Sequence, residues 1–131
     1  MIWLLDTSVI VDALRHHAGV HRRLESVGPD DLGVPSVAIA GLTYGAERSR
    51  DPERARVVWR EFVQPFGVVP FDARAAEEHG RLRFVLRAQP IGERDLLIAA
   101  TALAHGLRLV TSNTGEFARV PGLEVEDWRA A

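Results

Sequence analysis

GERDLLIAATALAHGLRLVTS, Gly92–Ser112, carries the strongest indication of the architecture of this chain. Its first part leaves almost no polar face, which predicts a buried helix after the break at Pro90–Gly92. Its last part, LRLVTS (Leu107–Ser112), predicts a strand. A buried helix that leads into a short apolar strand is typical of layered α/β folds with a largely parallel sheet.

The same alternation recurs along the chain. IWLLD (Ile2–Asp6) predicts a strand, and the N-cap types Thr7 and Ser8 then lead into the helical spacing of VIVDALR. Further strands are predicted at Asp31–Ser36, Phe66–Phe71 and Leu123–Trp128. Further helices are predicted at Val20–Val27, from a Ser36 cap onward, from Asp51–Pro52 to Val63, and from an Asp72 cap to about Gln89. The pattern therefore predicts one α/β domain, residues 1–131, with four or five strands.

Composition limits the possible functions. The chain has no cysteine, which excludes disulfides and thiolate chemistry. No apolar run reaches the ~18–20 residues of a membrane span, and the first residues lack the basic region of a secretory signal, so we expect no membrane partner and a cytoplasmic location. The formal net charge of −2 shows no global basic field for nucleic acid, although a small positive groove is compatible with it.

Acidic and amide side chains follow the predicted strands. Asp6 ends the first strand, Ser112 and Asn113 follow LRLVT, and Glu116 lies three residues further on. Asp95 opens the buried helix. Ligands of parallel α/β sheets bind beyond the carboxyl ends of the strands, and oxygen ligands of this kind suit Mg²⁺ or Mn²⁺ and metal-assisted phosphodiester hydrolysis. Plain helix caps at the aspartates, a turn at Asn113 and a solvated loop at Glu116 are the structural alternatives.

Four segments together resemble the PIN-domain ribonuclease toxins of VapBC type over essentially the whole chain. They are LLDTSVIVDAL (4–14), SVAIAGLTYGAERS (36–49), IGERDLLIAATALAHGLRLVTSNTGEF (91–117) and RVPGLEVEDW (119–128). The resemblance implies a three-layer PIN fold and a Mg²⁺- or Mn²⁺-dependent endoribonuclease toxin. It also implies a homodimer, a cognate VapB-like antitoxin whose tail arginine enters the acidic site, and RNA substrates that include transfer RNA.

The resemblance also implies roles for particular residues. Asp6, Asp95 and Glu116 match the acidic metal ligands, and Asn113 completes the catalytic set. Four hydroxyl residues near these positions are expected to contact the substrate, namely Thr7, Ser8, Thr111 and Ser112.

Gly41 departs from the family pattern, because the third helix of the family carries a catalytic glutamate in a motif like T-x-x-E-L-x-x-G. When the L-x-x-G part of this motif is aligned with LTYG, Leu42–Gly45, at the start of LTYGAERS, the glutamate falls on Gly41. Three explanations stay open: a small-residue face formed with Gly45, natural loss, or a change selected because it inactivates the toxin. Glu47 points about 240° further round the helix and does not substitute. We therefore expect weak or absent activity, with a catalytically dead PIN domain that binds antitoxin or RNA as the alternative.

Two unrelated phosphate-handling classes fit the sequence poorly. A phosphoacceptor receiver domain requires a lysine near its phosphoryl site, and this chain has no lysine. A haloacid-type phosphatase requires D-x-D-x-T after the first strand, whereas the next aspartate after Asp6 is Asp12.

Overall fold

A computed structural model describes residues 1–129 of the chain. Its strands are β1 (Trp3–Leu5), β2 (Leu32–Pro35), β3 (Gly67–Val69), β4 (Arg108–Val110) and β5 (Val125–Glu126). Its α-helices are α1 (Thr7–Leu14), α2 (Ala18–Ser26), α3 (Ser36–Glu47), α4 (Pro52–Val63), α5 (Ala73–Val85), α6 (Glu93–His105) and α7 (Thr114–Phe117). The predicted alternation of strands and helices is confirmed.

The five strands form one all-parallel sheet in the order β3-β2-β1-β4-β5. The chain builds outward from β1 to one edge and then returns to the other side of β1. This reversal makes the carboxyl ends of β1 and β4 the switch point of the sheet, where a crevice forms. The sequence places Asp6 directly after β1 and Thr111 directly after β4, so both lie at this crevice.

The sheet is buried on both faces. Leu4 and Leu109 pair across β1 and β4 and belong to one core cluster, which the α5 and α6 side chains share. Leu5 and Val110 pair in the next register position and belong to a second cluster with α1, α3 and α4. All four side chains have no exposed surface. Because helices cover both faces of the sheet, the sequences of β1 and of Leu109–Val110 in β4 are apolar without a polar alternation.

Several helix ends follow the predicted chemistry. Asp51 and Asp72 each accept a hydrogen bond from a backbone N–H in the first turn of α4 and α5, and Pro52 is the first residue of α4. Gly106 ends α6 with φ = 66°, a left-handed conformation that favours glycine. The first strand-helix unit and the buried α6 are also where the sequence predicts them.

Three local predictions were wrong. Ser36 does not cap α3: Pro35 holds the N-cap position, and the Ser36 hydroxyl instead accepts a hydrogen bond from the Phe71 N–H at 3.1 Å. Helix α5 ends at Val85 rather than near Gln89. Glu116 lies in the short helix α7 rather than in a loop.

Glu126 fixes the last strand to the rest of the domain. Its carboxylate accepts hydrogen bonds from the indole N–H of Trp3 at 2.9 Å and of Trp128 at 3.1 Å, and Arg23 lies 3.4 Å away. The two indole rings meet edge to face at 5.5 Å. No helix within residues 1–129 is both long and apolar enough to cross a membrane.

Candidate active site

Asp6 is the most constrained acid of the site. It is 5% exposed, and its Oδ1 accepts a hydrogen bond from the Thr7 N–H at 2.8 Å, so it does cap α1. Its Oδ2 accepts from the hydroxyls of Ser8 at 3.1 Å and Thr111 at 2.7 Å. Donors from α1 and from the end of β4 thus hold one carboxylate in a single orientation, as a preorganised site requires.

The hydroxyl residues of the site organise it. Fully buried Thr111 donates to Asp6 and accepts from the Asn113 N–H at 3.0 Å. Ser8 donates to the same Asp6 oxygen and accepts from the Ser112 N–H at 3.2 Å. Ser8 and Thr111 therefore fix the loop after β4 against α1, and the predicted contacts of Thr7, Ser8, Thr111 and Ser112 with substrate stay predictions.

A second group joins the acids of α6 and α7. The Asn113 amide donates to Asp95 Oδ2 at 3.1 Å and to Glu116 Oε2 at 2.8 Å, and the Gly92 N–H also donates to the Glu116 carboxylate. Asn113 thus bridges the two carboxylates that the sequence separates by twenty-one residues. The four residues Asp6, Asp95, Asn113 and Glu116 lie at the predicted edge of the sheet.

The two bridged carboxylates have opposite pKa shifts. Burial raises the pKa of Asp95 to about 6, together with hydrogen bonding to the Glu116 carboxyl and the negative charge of Asp6. The Gly92 N–H and the Asn113 amide lower the pKa of Glu116. A negative charge is therefore less stable on Asp95 than on Glu116.

The donor set fits a hard divalent cation in its chemistry. All candidate ligands are carboxylate or amide oxygens, which Mg²⁺ and Mn²⁺ prefer. Burial, together with the neighbouring Glu116 and Asp6 carboxyl groups, raises the pKa of Asp95, and a bound cation would stabilise its charged form. Within residues 1–129, however, no three acidic or histidine side chains are already grouped tightly enough to hold a metal ion.

Gly41 faces this site from α3. A Cβ atom at Gly41 would lie 3.7 Å from Cζ and Nη1 of Arg94 and 3.8 Å from Cγ2 of Thr7, which are ordinary van der Waals distances. A Cβ at Gly45 would meet nothing within 4 Å. Close helix packing within residues 1–129 therefore requires neither glycine, which removes the small-residue explanation for contacts inside this part of the chain. Glu47 forms an ion pair with Arg56 instead of approaching the site.

Thr7 lines two concavities, and Gly41 lines the second of them. The acidic cleft, about 400 Å³, is lined by Asp6, Thr7, Ser8, Val11, Asp12, Arg94, Asp95, Ser112 and Asn113. The apolar groove, about 500 Å³, lies between α1, α3 and α4 and includes Leu42, Val58 and Trp59. Sequence reasoning had not singled out Arg94, although its position beside Asp95 was a signal that it could reach the same edge.

The parallel sheet with an acidic cleft at its switch point defines an α/β domain with a candidate binding site at the carboxyl ends of its strands. The PIN domain model matches residues 3–123. The tRNA(fMet)-specific endonuclease VapC of Shigella flexneri is 38% identical over 128 residues, which cover 96% of this chain and 97% of the relative.

Solved structures agree with the sequence match. The DNA-bound VapBC complex of Salmonella typhimurium contains a chain that superposes with a TM-score of 0.92 at 32% identity and 98% coverage of both chains. The VapBC2 complex of Rickettsia felis, bound to a DNA fragment from its promoter, contains one with a TM-score of 0.91 at 32% identity, covering 98% of this chain and 99% of the other. This chain belongs to the PIN-domain family, in the group of VapC ribonucleases.

Proposed function

We propose that the chain is the toxin of a VapBC type II toxin–antitoxin system and hydrolyses RNA phosphodiester bonds with Mg²⁺ or Mn²⁺. The observation that carries this proposal is that Asp6 and Asp95, two acids from separate elements, line one cleft at the edge of the sheet. The Shigella flexneri relative is specific for tRNA(fMet), so initiator transfer RNA is the first substrate to test.

The residues of the cleft have distinct proposed roles. Asp6, Asp95 and Glu116 would hold the metal, which when bound supplies a polarised water and neutralises charge on the phosphate. Asn113 orients Asp95 and Glu116 through its amide. The hydroxyls of Ser8 and Thr111 keep Asp6 from rotating.

We further propose that Gly41 weakens this activity, because the family motif has a carboxylate at this position and glycine supplies none. A Cβ at residue 41 would lie 3.7–3.8 Å from Arg94 and Thr7, two residues that line the cleft. The fold and the remaining acids do not depend on residue 41. A catalytically dead protein that binds antitoxin or RNA is the second candidate function, and the missing carboxylate is the observation that favours it.

The proposed partner is a VapB-like antitoxin, as in the VapBC complexes that resemble this chain. The apolar groove suits an amphipathic segment, and the neighbouring acidic cleft suits an arginine at its end. A homodimer and a cytoplasmic location remain predictions from the family.

The test is cleavage of labelled initiator transfer RNA and of a mixed RNA pool in Mg²⁺, in Mn²⁺ and in EDTA. The chain is compared with Gly41→Glu, with Gly41→Gln as the uncharged control, and with Gly41→Glu/Asp6→Asn. We expect metal-dependent cleavage to rise at least tenfold in Gly41→Glu only. Equal rates for the chain and Gly41→Glu would show that three acids suffice, and no cleavage by any variant would favour the binding function.

A further inference from the structure

The Arg94 guanidinium lies beside the position that a side chain at residue 41 would take. Arg94 lies in the first turn of α6, next to Asp95 in the sequence. Its Cζ and Nη1 are the atoms nearest to a Cβ built on Gly41, both at 3.7 Å. The guanidinium of α6 therefore approaches α3 at the residue where the chain departs from the family motif.

Arg94 has no acidic partner within residues 1–129. Other arginines do: Arg56 pairs with Glu47, Arg81 with Glu78 at 2.6 Å, and Arg108 with Glu124 at 2.7 Å. Arg94 forms none of the ion pairs or side-chain hydrogen bonds of that part of the chain, and it is exposed to solvent. Its charge is thus available to a ligand.

The position of this charge matters because Arg94 lines the acidic cleft together with Asp6 and Asp95. RNA phosphates are repelled by those carboxylates, so a substrate needs a nearby cation to approach them. A guanidinium also presents parallel N–H groups that match two phosphate oxygens.

We propose that Arg94 binds an RNA phosphodiester group at the mouth of the acidic cleft, and that it is free to do so because residue 41 is glycine. This inference rests on the proposed function, in which RNA is the substrate. A glutamate at position 41 would project toward the guanidinium and neutralise it. The contribution of Arg94 to RNA binding therefore depends on residue 41. An arginine far from residue 41 would show no such dependence.

The experiment measures binding of fluorescein-labelled initiator transfer RNA by anisotropy, in EDTA so that no cleavage occurs, over a range of salt concentrations. Arg94→Gln is compared with Arg22→Gln, which removes the same charge from an exposed residue of α2. We expect Kd to rise about 5- to 10-fold for Arg94→Gln and the slope of log K against log salt to fall by about 0.7–0.9, the value for one phosphate contact. Arg22→Gln should change Kd less than about twofold on the same reasoning.

The coupling is tested by repeating Arg94→Gln in the Gly41→Glu background, where its effect on Kd should fall below about twofold. Arg94→Lys keeps the charge without the fork and should give an intermediate Kd in the original background. Far-ultraviolet circular dichroism establishes that each variant is folded.

Four results would overturn the inference. If Arg94→Gln and Arg22→Gln change Kd equally, Arg94 makes no specific phosphate contact. If Arg94→Gln changes Kd equally in both residue-41 backgrounds, the two positions are not coupled. If metal-dependent cleavage is present while Arg94→Gln binds RNA normally, the inference fails and the proposed function stands. If the original chain does not bind the labelled RNA at all, both fail.

Discussion

Replacing Gly41 by alanine should stabilise the protein, because the structure gives that glycine no packing role. Gly41 is the sixth of the twelve residues of α3, and glycine in a helix interior costs about 0.5–1 kcal/mol relative to alanine. The added Cβ would make only ordinary contacts at 3.7–3.8 Å. We therefore expect Gly41→Ala to raise the free energy of unfolding by about 0.5–1 kcal/mol, or Tm by roughly 2–5 °C for a chain of this length.

Two other glycines serve as controls in the same assay. Gly45→Ala, in open space one turn later, should give a gain of similar size or smaller, because it lies nearer the helix end. Gly106→Ala should destabilise the protein by about 1–2 kcal/mol, since alanine strains at φ = 66°.

Urea unfolding followed by circular dichroism at neutral pH measures all three variants under the same conditions. A loss of stability in Gly41→Ala, with a gain in Gly45→Ala, would refute the argument. It would mean that the α3 backbone at Gly41 needs a close approach that the structure does not contain.

Three further results are expected. Thr111→Val should lower the free energy of unfolding by about 1–3 kcal/mol in urea titrations, since it removes a buried donor to Asp6, and a change below about 0.5 kcal/mol would contradict that. Burial tends to raise the pKa of Glu126, but the two indole N–H donors and the charges of neighbouring arginines lower it below its ordinary value of 4.5. Its stabilisation is thus fully present above pH 4.5 and is lost as pH falls through the lower folded pKa, so the Tm loss in Glu126→Gln should be largest at pH 7 and should shrink as pH falls below 4.5, whereas a pH-independent loss would exclude the linkage. Mg²⁺ or Mn²⁺ should raise the Tm of Gly41→Glu more than that of the original chain, and equal shifts in the two proteins would show that residue 41 does not affect metal binding.

Much of the fold could be predicted from the sequence because its main signals are local. An apolar run followed by an N-cap residue predicts a strand-helix junction, as at Asp6. The lack of a polar face predicts that α6 is buried. The missed details depend on partners far away in the chain. Ser36 satisfies the Phe71 N–H instead of its own helix, and α5 ends early where buried Leu86 closes its last turn.

In the candidate site, too, some features could be predicted from the sequence and others could not. Strand-end reasoning predicts that Asp6, Asp95, Asn113 and Glu116 share one edge, because parallel strands place their carboxyl ends together. It does not predict that Thr111 orients Asp6, nor that Arg94 lies above Gly41. Those contacts join residues about fifty to one hundred positions apart, and no periodicity of the sequence encodes them.

The supports of the acidic cleft explain why a single position can determine its activity without disturbing its structure. Asp6 is held by α1 and the residue after β4, and Asp95 and Glu116 are held through Asn113. None of these hydrogen bonds comes from α3. A change at residue 41 therefore adds or removes a charge beside Arg94 while every other acid keeps its partners, so its direct effect falls on the Arg94 guanidinium and leaves the supports of the acids in place.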